Sequence, residues 1–303
     1  MSMKGMFENR SALFQTGLLV YFFIMGMMFG SMISLGVSHL FGTALAGSFY
    51  QMHAMQFVSD IFAFLLPSFG IAYVCSSRPF DFLKIRHIPN VKILILAIIA
   101  MIAILPAIEA LTYLNVQMHL PDFMSSLETQ LREWEELMAK ITDEMLGRND
   151  ILSLVTNIVV VGLMAGLTEE VLFRGALLSI LRRSIRNHHI AIWIAAFIFS
   201  AIHLQFFGFI PRLVLGALLG YMLYWSDCIW VAVIAHSVNN IVAVMGVYFG
   251  LFETSGSVII EPEMSRGEVA TASIIIVGGL VVFGLCVRAI KRDKGVMNDF
   301  SGR

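Results

Sequence analysis

The sequence predicts an all-α fold, a polytopic membrane helix bundle of about eight transmembrane helices. Three observations carry this. Of the 303 residues, 58% are hydrophobic and only 14% are charged, and the mean hydropathy is +0.82; a soluble domain of this length carries far more charge. The apolar residues gather into eight runs long enough to span as helices at ~20 residues per crossing. The basic residues cluster in alternate connections between those runs, as the positive-inside rule requires.

The first run, 13–36, follows Lys4 and Arg10. It is too long for a signal-peptide core and no small-residue cleavage site closes it, so it reads as a retained span. The others are 55–76, 92–114, 151–181, 190–206, 209–225, 228–250 and 270–290. The pair after 190 is short and closely joined, which predicts a tight re-entering pair. Arg78, Lys84, Arg86 and Lys92 follow the second run, Arg182, Arg183 and Arg186 the fourth, and Lys291, Arg292 and Lys294 the eighth. The 115–150 connection instead holds eight acids against three bases, and 251–268 is acidic, with Glu253, Glu261, Glu263 and Glu268 against Arg266. Eight crossings with both termini cytoplasmic put all three basic loops on one side. The expectation is a multi-pass protein of the plasma (inner) membrane, N-in and C-in.

Within 115–150, Leu127, Leu131, Trp134, Met138 and Ile141 recur at helical spacing. This predicts an amphipathic helix on the outer surface, read as a solvated cap. No internal repeat, low-complexity segment or linker divides the chain, so residues 1–303 form one integral-membrane domain. It has a core over 151–250 and an acidic extracytoplasmic connection over 115–150. Cys75, Cys228 and Cys286 are scattered in or beside apolar runs without CxxC spacing, and read as small core hydrophobes. The net charge of -1 says nothing about partners; no nucleic-acid partner is expected, and the partner that the composition demands is the lipid bilayer.

Polar side chains that a bilayer should exclude sit in three of the runs: Glu169 and Glu170 in TEEVLFRG, His203 in FSAIH, and His236 and Asn240 in HSVNN. Such groups are costly at depth and face a bundle interior or a wet cavity. Adjacent Glu169 and Glu170 diverge by about 100° on a helix. Arg174, four residues after Glu170, shares its face in the favourable order and keeps it ionised. Glu169 has no sequence-local partner, which suits a general base near neutral pH. Phe199 precedes His203 by one turn and can buttress the imidazole. His236 and Asn240 share a face and can both donate hydrogen bonds to an oxygen that becomes negative. Asn239 is expected to point away, toward a neighbouring helix.

Glu169 lies 13 residues from Arg182, and His203 lies 13 from Ile190. His236 and Asn240 lie 8 and 12 past Cys228. At ~1.5 Å per residue all four fall roughly 12–20 Å from the cytoplasmic edge. Three helices thus deliver polar groups to one layer, where a proton can be moved. Gly216 and Gly220 form a GxxxG step that reads as helix packing alone.

Glu169-Glu170-x-x-x-Arg174, Phe199-x-x-x-His203 and His236-x-x-x-Asn240, with the joining stretch LVLGALLGYMLYWSDCIWVAVIAHSVNN, resemble the CAAX protease and bacteriocin-processing (CPBP) family of intramembrane glutamic endopeptidases. The resemblance covers about 165–245. It implies an eight-helix fold with a polar cavity open to the cytoplasm. It also implies a membrane-associated protein or peptide as substrate, and a mechanism with neither metal nor other cofactor. In that scheme Glu169, assisted by His203, activates a water, and His236 and Asn240 stabilise the oxyanion. Glu170, Arg174 and Phe199 support the site.

Three other readings stand beside this one. Two His and one Glu make a catalytic zinc set, although no HExxH is present. Glu/His chains also mark proton-coupled transporters; Asp60 and Glu109 would belong to such a path, and otherwise read as interhelical hydrogen-bonding groups. A non-catalytic immunity or scaffold protein would retain the motifs without turnover.

Overall fold

The computed structural model describes residues 3–41, 49–251 and 265–301. Among these there is helix and no strand. The acidic residues Glu253, Glu261 and Glu263 lie outside the described residues.

Ten helices follow in order: α1 (Ala12–Phe41), α2 (Phe49–Cys75), the short α3 (Pro79–Phe82), α4 (Val91–Val116), α5 (Ser125–Leu146), α6 (Ile151–Ser184), α7 (His188–Ala201), α8 (Phe209–Ser226), α9 (Ile229–Tyr248) and α10 (Arg266–Ser301). Their starts follow from local chemistry. The side chains of Asn90, Asp150 and Asn187 accept the backbone N–H of Lys92, Ser153 and His189, so α4, α6 and α7 each begin on a capped turn. Asp227, with φ of 55°, closes α8 in the left-handed conformation that commonly ends helices.

Seven of these helices are long and apolar enough to cross a membrane. The eighth apolar helix, α7, has 14 residues, about 21 Å against a hydrocarbon core of ~30 Å. It pairs with α8 as the short, closely joined pair expected from the sequence, and contacts near the two termini place both termini at one end of the bundle. Gly5 N–H donates to Tyr73 O at 2.9 Å, and near the other terminus Lys291 Nζ lies 4.6 Å from the Trp225 ring centroid. Lys84 pairs with Asp227 at 3.1 Å, and Trp230 Nε1 donates to Ile85 O at 3.0 Å. Both terminal segments thus meet the end of the bundle that carries the basic loops. The protein is a polytopic helical bundle, and its lipid-facing side is marked by exposed Leu13, Ile274, Val277 and Leu285.

At the opposite end α5 is amphipathic. Glu128 ties its first turn to the end of α4, accepting from Leu120 N–H at 2.8 Å, Arg132 Nη2 at 2.7 Å and His119 Nδ1 at 3.0 Å. The Leu120 N–H, then Arg132, hold its carboxyl down to about 2. A cleft of about 610 Å³ at the basic end is lined by Lys4, Arg78, Phe80, Asp81 and Trp230 and does not reach Glu169.

Two helices depart from the regular 3.6-residue period. α2 widens to a π-helix over Asp60–Leu65, and α6 does so twice, over Ile158–Met164 and Val171–Leu177. Such widened turns recur at functional sites. α9 lies close against α6 between its two π-segments. A Cβ on Gly166 would lie 2.5 Å from Ser237 Oγ, 3.0 Å from its N and 3.1 Å from its Cα. Backbone cannot rotate away. Gly166→Ala is therefore expected to lower stability by about 1–3 kcal/mol, read as a drop in the unfolding midpoint in detergent; an unchanged midpoint would show that α9 can retreat freely.

Candidate active site

Glu169 and Glu170 occupy the one regular turn, Ala165–Glu170, between the two π-helical segments of α6. As expected for neighbours on a helix, they diverge. The Glu170 side chain is 0% exposed and that of Glu169 15%. Glu170 Oε1 accepts Arg174 Nη1 at 2.6 Å and His236 Nδ1 at 2.9 Å, while its Oε2 has no partner. A carboxylate accepts and does not donate, so His236 carries its proton on Nδ1. Arg174 Nη2 donates to Gly216 O at 2.8 Å, and its guanidinium lies 4.6 Å from the Phe199 ring centroid. Gly216 therefore does more than pack: its carbonyl receives the site arginine. A Cβ there would also sit 3.0 Å from the Phe199 ring.

Glu169 makes no hydrogen bond among the described residues; His236 Nε2 lies 3.9 Å from its Oε2. One imidazole thus joins the two diverging glutamates, Glu170 at Nδ1 and Glu169 across Nε2. Their own helix holds the two apart, and the ring from α9 is what bridges them.

His203 is not inside a helix. α7 ends at Ala201, and His203 lies in the turn 202–208. Its backbone N–H turns to Ser200 O, which leaves Phe199 O without its usual partner four residues on. The imidazole replaces that partner, with Nδ1 2.8 Å from Phe199 O. A carbonyl only accepts, so the proton sits on Nδ1 and Nε2 presents a lone pair. Phe199, 2% exposed, meets both imidazoles edge-on, at centroid distances of 5.1 Å to His203 and 5.9 Å to His236. It is the packing centre of the site.

The structure brings Arg174, His203 and His236 to that ring, Glu170 to Arg174 and His236, and Glu169 to within 3.9 Å of His236. Asn240 lies one turn further along α9, where its Nδ2 donates to Val161 O at 3.1 Å, a carbonyl in the widened first π-segment of α6. Asn239 does not point to another helix; its Nδ2 donates to Asn240 Oδ1 at 3.1 Å. The two amides form a chain that fixes the Asn240 orientation and leaves one Asn240 N–H for another acceptor. Among the described residues no three His, Cys, Asp or Glu side chains converge closely enough to share a metal ion.

Two charged groups near Glu169 were not assigned to the site from sequence. Asp60 is fully buried in the π-helical segment of α2, within electrostatic reach of Glu169. Its Oδ1 accepts from Gln56 Nε2 at 2.7 Å and its Oδ2 has no partner. The expected interhelical bond is thus an intrahelical one. Arg212 of α8 interacts electrostatically with Glu169 and with Glu135 of α5. Burial pushes the Glu135 carboxyl up, against Arg212 and the Phe207 N–H, which pull it down. Glu109 has no polar partner among the described residues.

Residues 151–242 match the family model described as Rce1-like, type II CAAX prenyl endopeptidase Rce1-like. Over this segment, which contains all three motifs, the chain is similar to that family. With its long apolar helices it is a multi-pass membrane protein that resembles CAAX-type endopeptidases over this segment. No curated protein and no solved structure matches the chain.

Proposed function

We propose that this Rce1-like protein is an intramembrane endopeptidase whose hydrolytic water is activated by Glu169 and His203. The observation that supports this most is the contrast between two adjacent carboxylates. Glu170 is sealed in a pair with Arg174, whereas Glu169 is partly open and unbonded. A fixed carboxylate organises, and a free one can take a proton.

The His203 Nε2 lone pair and the Glu169 carboxylate hold the water as its two acceptors. Glu169 removes a proton as the water oxygen bonds to the scissile carbonyl carbon. The C=O π pair moves onto oxygen, where His236 Nε2–H and the spare Asn240 N–H receive the charge; this requires the His236 ring to be protonated at both nitrogens. Collapse breaks the C–N bond, and protonated Glu169 returns its proton to the leaving nitrogen. Arg174, Glu170 and Phe199 hold this geometry. The substrate in this reading is a membrane-associated protein or peptide. The basic end faces the cytoplasm by the positive-inside rule, so that both termini are cytoplasmic.

Asn240→Ala is expected to lower kcat by ~10²–10³ with little change in KM, as for loss of one oxyanion donor. The hydrogen bond from Asn239 changes what its own replacement should do: Asn239→Ala should loosen Asn240 and lower kcat measurably, though less. Steady-state kinetics with both variants decide; equal, near-native kcat would remove Asn240 from the oxyanion site.

The test of the whole reading is a cleavage assay of purified protein in detergent on a prenylated peptide, with and without chelator. Turnover that survives prolonged treatment with EDTA or phenanthroline is expected. Stoichiometric zinc, with activity lost on chelation and restored by zinc, would instead support a metalloprotease.

A further inference from the structure

Arg212 is a cation in the membrane-crossing helix α8 whose local partners do not satisfy it. Its Nη2 donates to Gln205 Oε1 at 2.8 Å, while its Nη1 is buried without a hydrogen-bond partner. The anions that it feels, Glu135 and Glu169, attract it without bonding it. A guanidinium in such a place is costly unless an anion reaches it.

The surroundings hold this group ready. The turn 202–208, which carries His203 and Gln205, is pinned from three sides. Asn115 of α4 donates through Nδ2 to Phe206 O at 3.3 Å and accepts Ile210 N–H at 2.8 Å. Ser200 Oγ donates to Phe209 O at 2.7 Å. Arg132 of α5 covers the Phe207 ring at 4.2 Å. Gly208 leaves the guanidinium its room, since a Cβ there would sit 3.0 Å from Nη2 and 3.4 Å from Nη1. The result is a fixed guanidinium with an unused N–H edge beside the residue pair proposed to activate water. That planar fork matches a carboxylate.

We propose that Arg212 is a specificity-determining residue that receives a carboxylate of the peptide substrate, supplied either by its free C-terminus or by an acidic side chain. This rests on the protease reading and adds which substrates the site accepts. Binding a carboxylate at Nη1 completes the hydrogen bonding of Arg212 and fixes the chain relative to Glu169 and His203. A peptide without that carboxylate leaves the cation unpaired, and binds correspondingly weakly.

Binding, read separately from cleavage, tests it. Full-length Glu169→Gln protein in nanodiscs is titrated with a fluorescent prenylated peptide as the free acid, as its C-terminal carboxamide, and with its one acidic residue as Asp or Asn. One of the two neutralisations is expected to weaken binding about ten- to hundredfold, the scale of a charge-assisted hydrogen bond, and thereby identifies the source. In Arg212→Gln the acid and its neutral form should bind alike, while Arg212→Lys should keep part of the difference. Equal affinity of all four peptides for protein with Arg212 intact overturns the proposal, as does full discrimination in Arg212→Gln or absence of any peptide binding. Comparing peptides on Arg212-intact protein keeps the test valid even if Arg212→Gln fails to fold. Discrimination without cleavage by the native protein would instead count against the protease reading alone.

Discussion

Replacing Glu169 by Gln should abolish most turnover and leave the fold unchanged. The substitution keeps the side-chain volume and exchanges one carboxylate oxygen for an amide nitrogen. Glu169 holds no hydrogen bond among the described residues, so little structure depends on its charge. What disappears is the base. Loss of a positioned general base costs ~10²–10⁴ in rate, and that drop is expected in kcat. Thermal unfolding in detergent should stay within about 0.5 kcal/mol of the native protein, the usual range for changes that disturb no packed network. Cleavage at the native rate would remove Glu169 from the mechanism. A large loss of stability would show that its charge is structural. The same substitution at Glu170 makes the converse comparison, since Glu170 accepts Arg174 and His236 on one oxygen. There, stability and turnover should fall together.

The crossings were legible because a bilayer imposes a length on apolar runs, and each of the eight runs corresponds to a helical segment. The site motifs were legible because i,i+4 spacing is local: Glu170 to Arg174 closed as read, even though a π-helical segment starts at Val171. What the sequence hid was contact through space. Arg212 has no acid at i±3 or i±4, and its partners come from the preceding turn and from α5. Asp60 reaches Glu169 only because the widened segment of α2 packs on α6. No periodicity marks a π-turn, so nothing announced that Val161 would offer its carbonyl to Asn240. The apolar run 190–206 predicts a helix through His203; the helix stops at Ala201, and the freed Phe199 carbonyl is what fixes the histidine tautomer.

Arg174→Met should be the most destabilising change in the site. Arg174 is 1% exposed and makes every contact inside the bundle: Glu170 Oε1, Gly216 O and the Phe199 face. Methionine fills much of the volume but leaves Glu170 as a buried carboxylate whose one remaining donor is His236. Breaking a buried pair from one side costs about 3–5 kcal/mol, because the surviving charge is uncompensated. Arg174→Lys should recover only part of this. An ammonium can reach Glu170 or Gly216 O, but it cannot bond both in one plane while stacking on Phe199. The double replacement Glu170→Gln with Arg174→Met removes the stranded charge and should be markedly more stable than Arg174→Met alone, a coupling that a double-mutant cycle in detergent would measure. Turnover should stay low in the double variant. His236 then faces an uncharged amide at Nδ1, which no longer supports protonation of the ring at both nitrogens, and Nε2 loses the proton it would offer to the oxyanion. Additive stabilities across the cycle would mean that Glu170 and Arg174 act independently, and the separation of a sealed carboxylate from a working one would no longer account for the site.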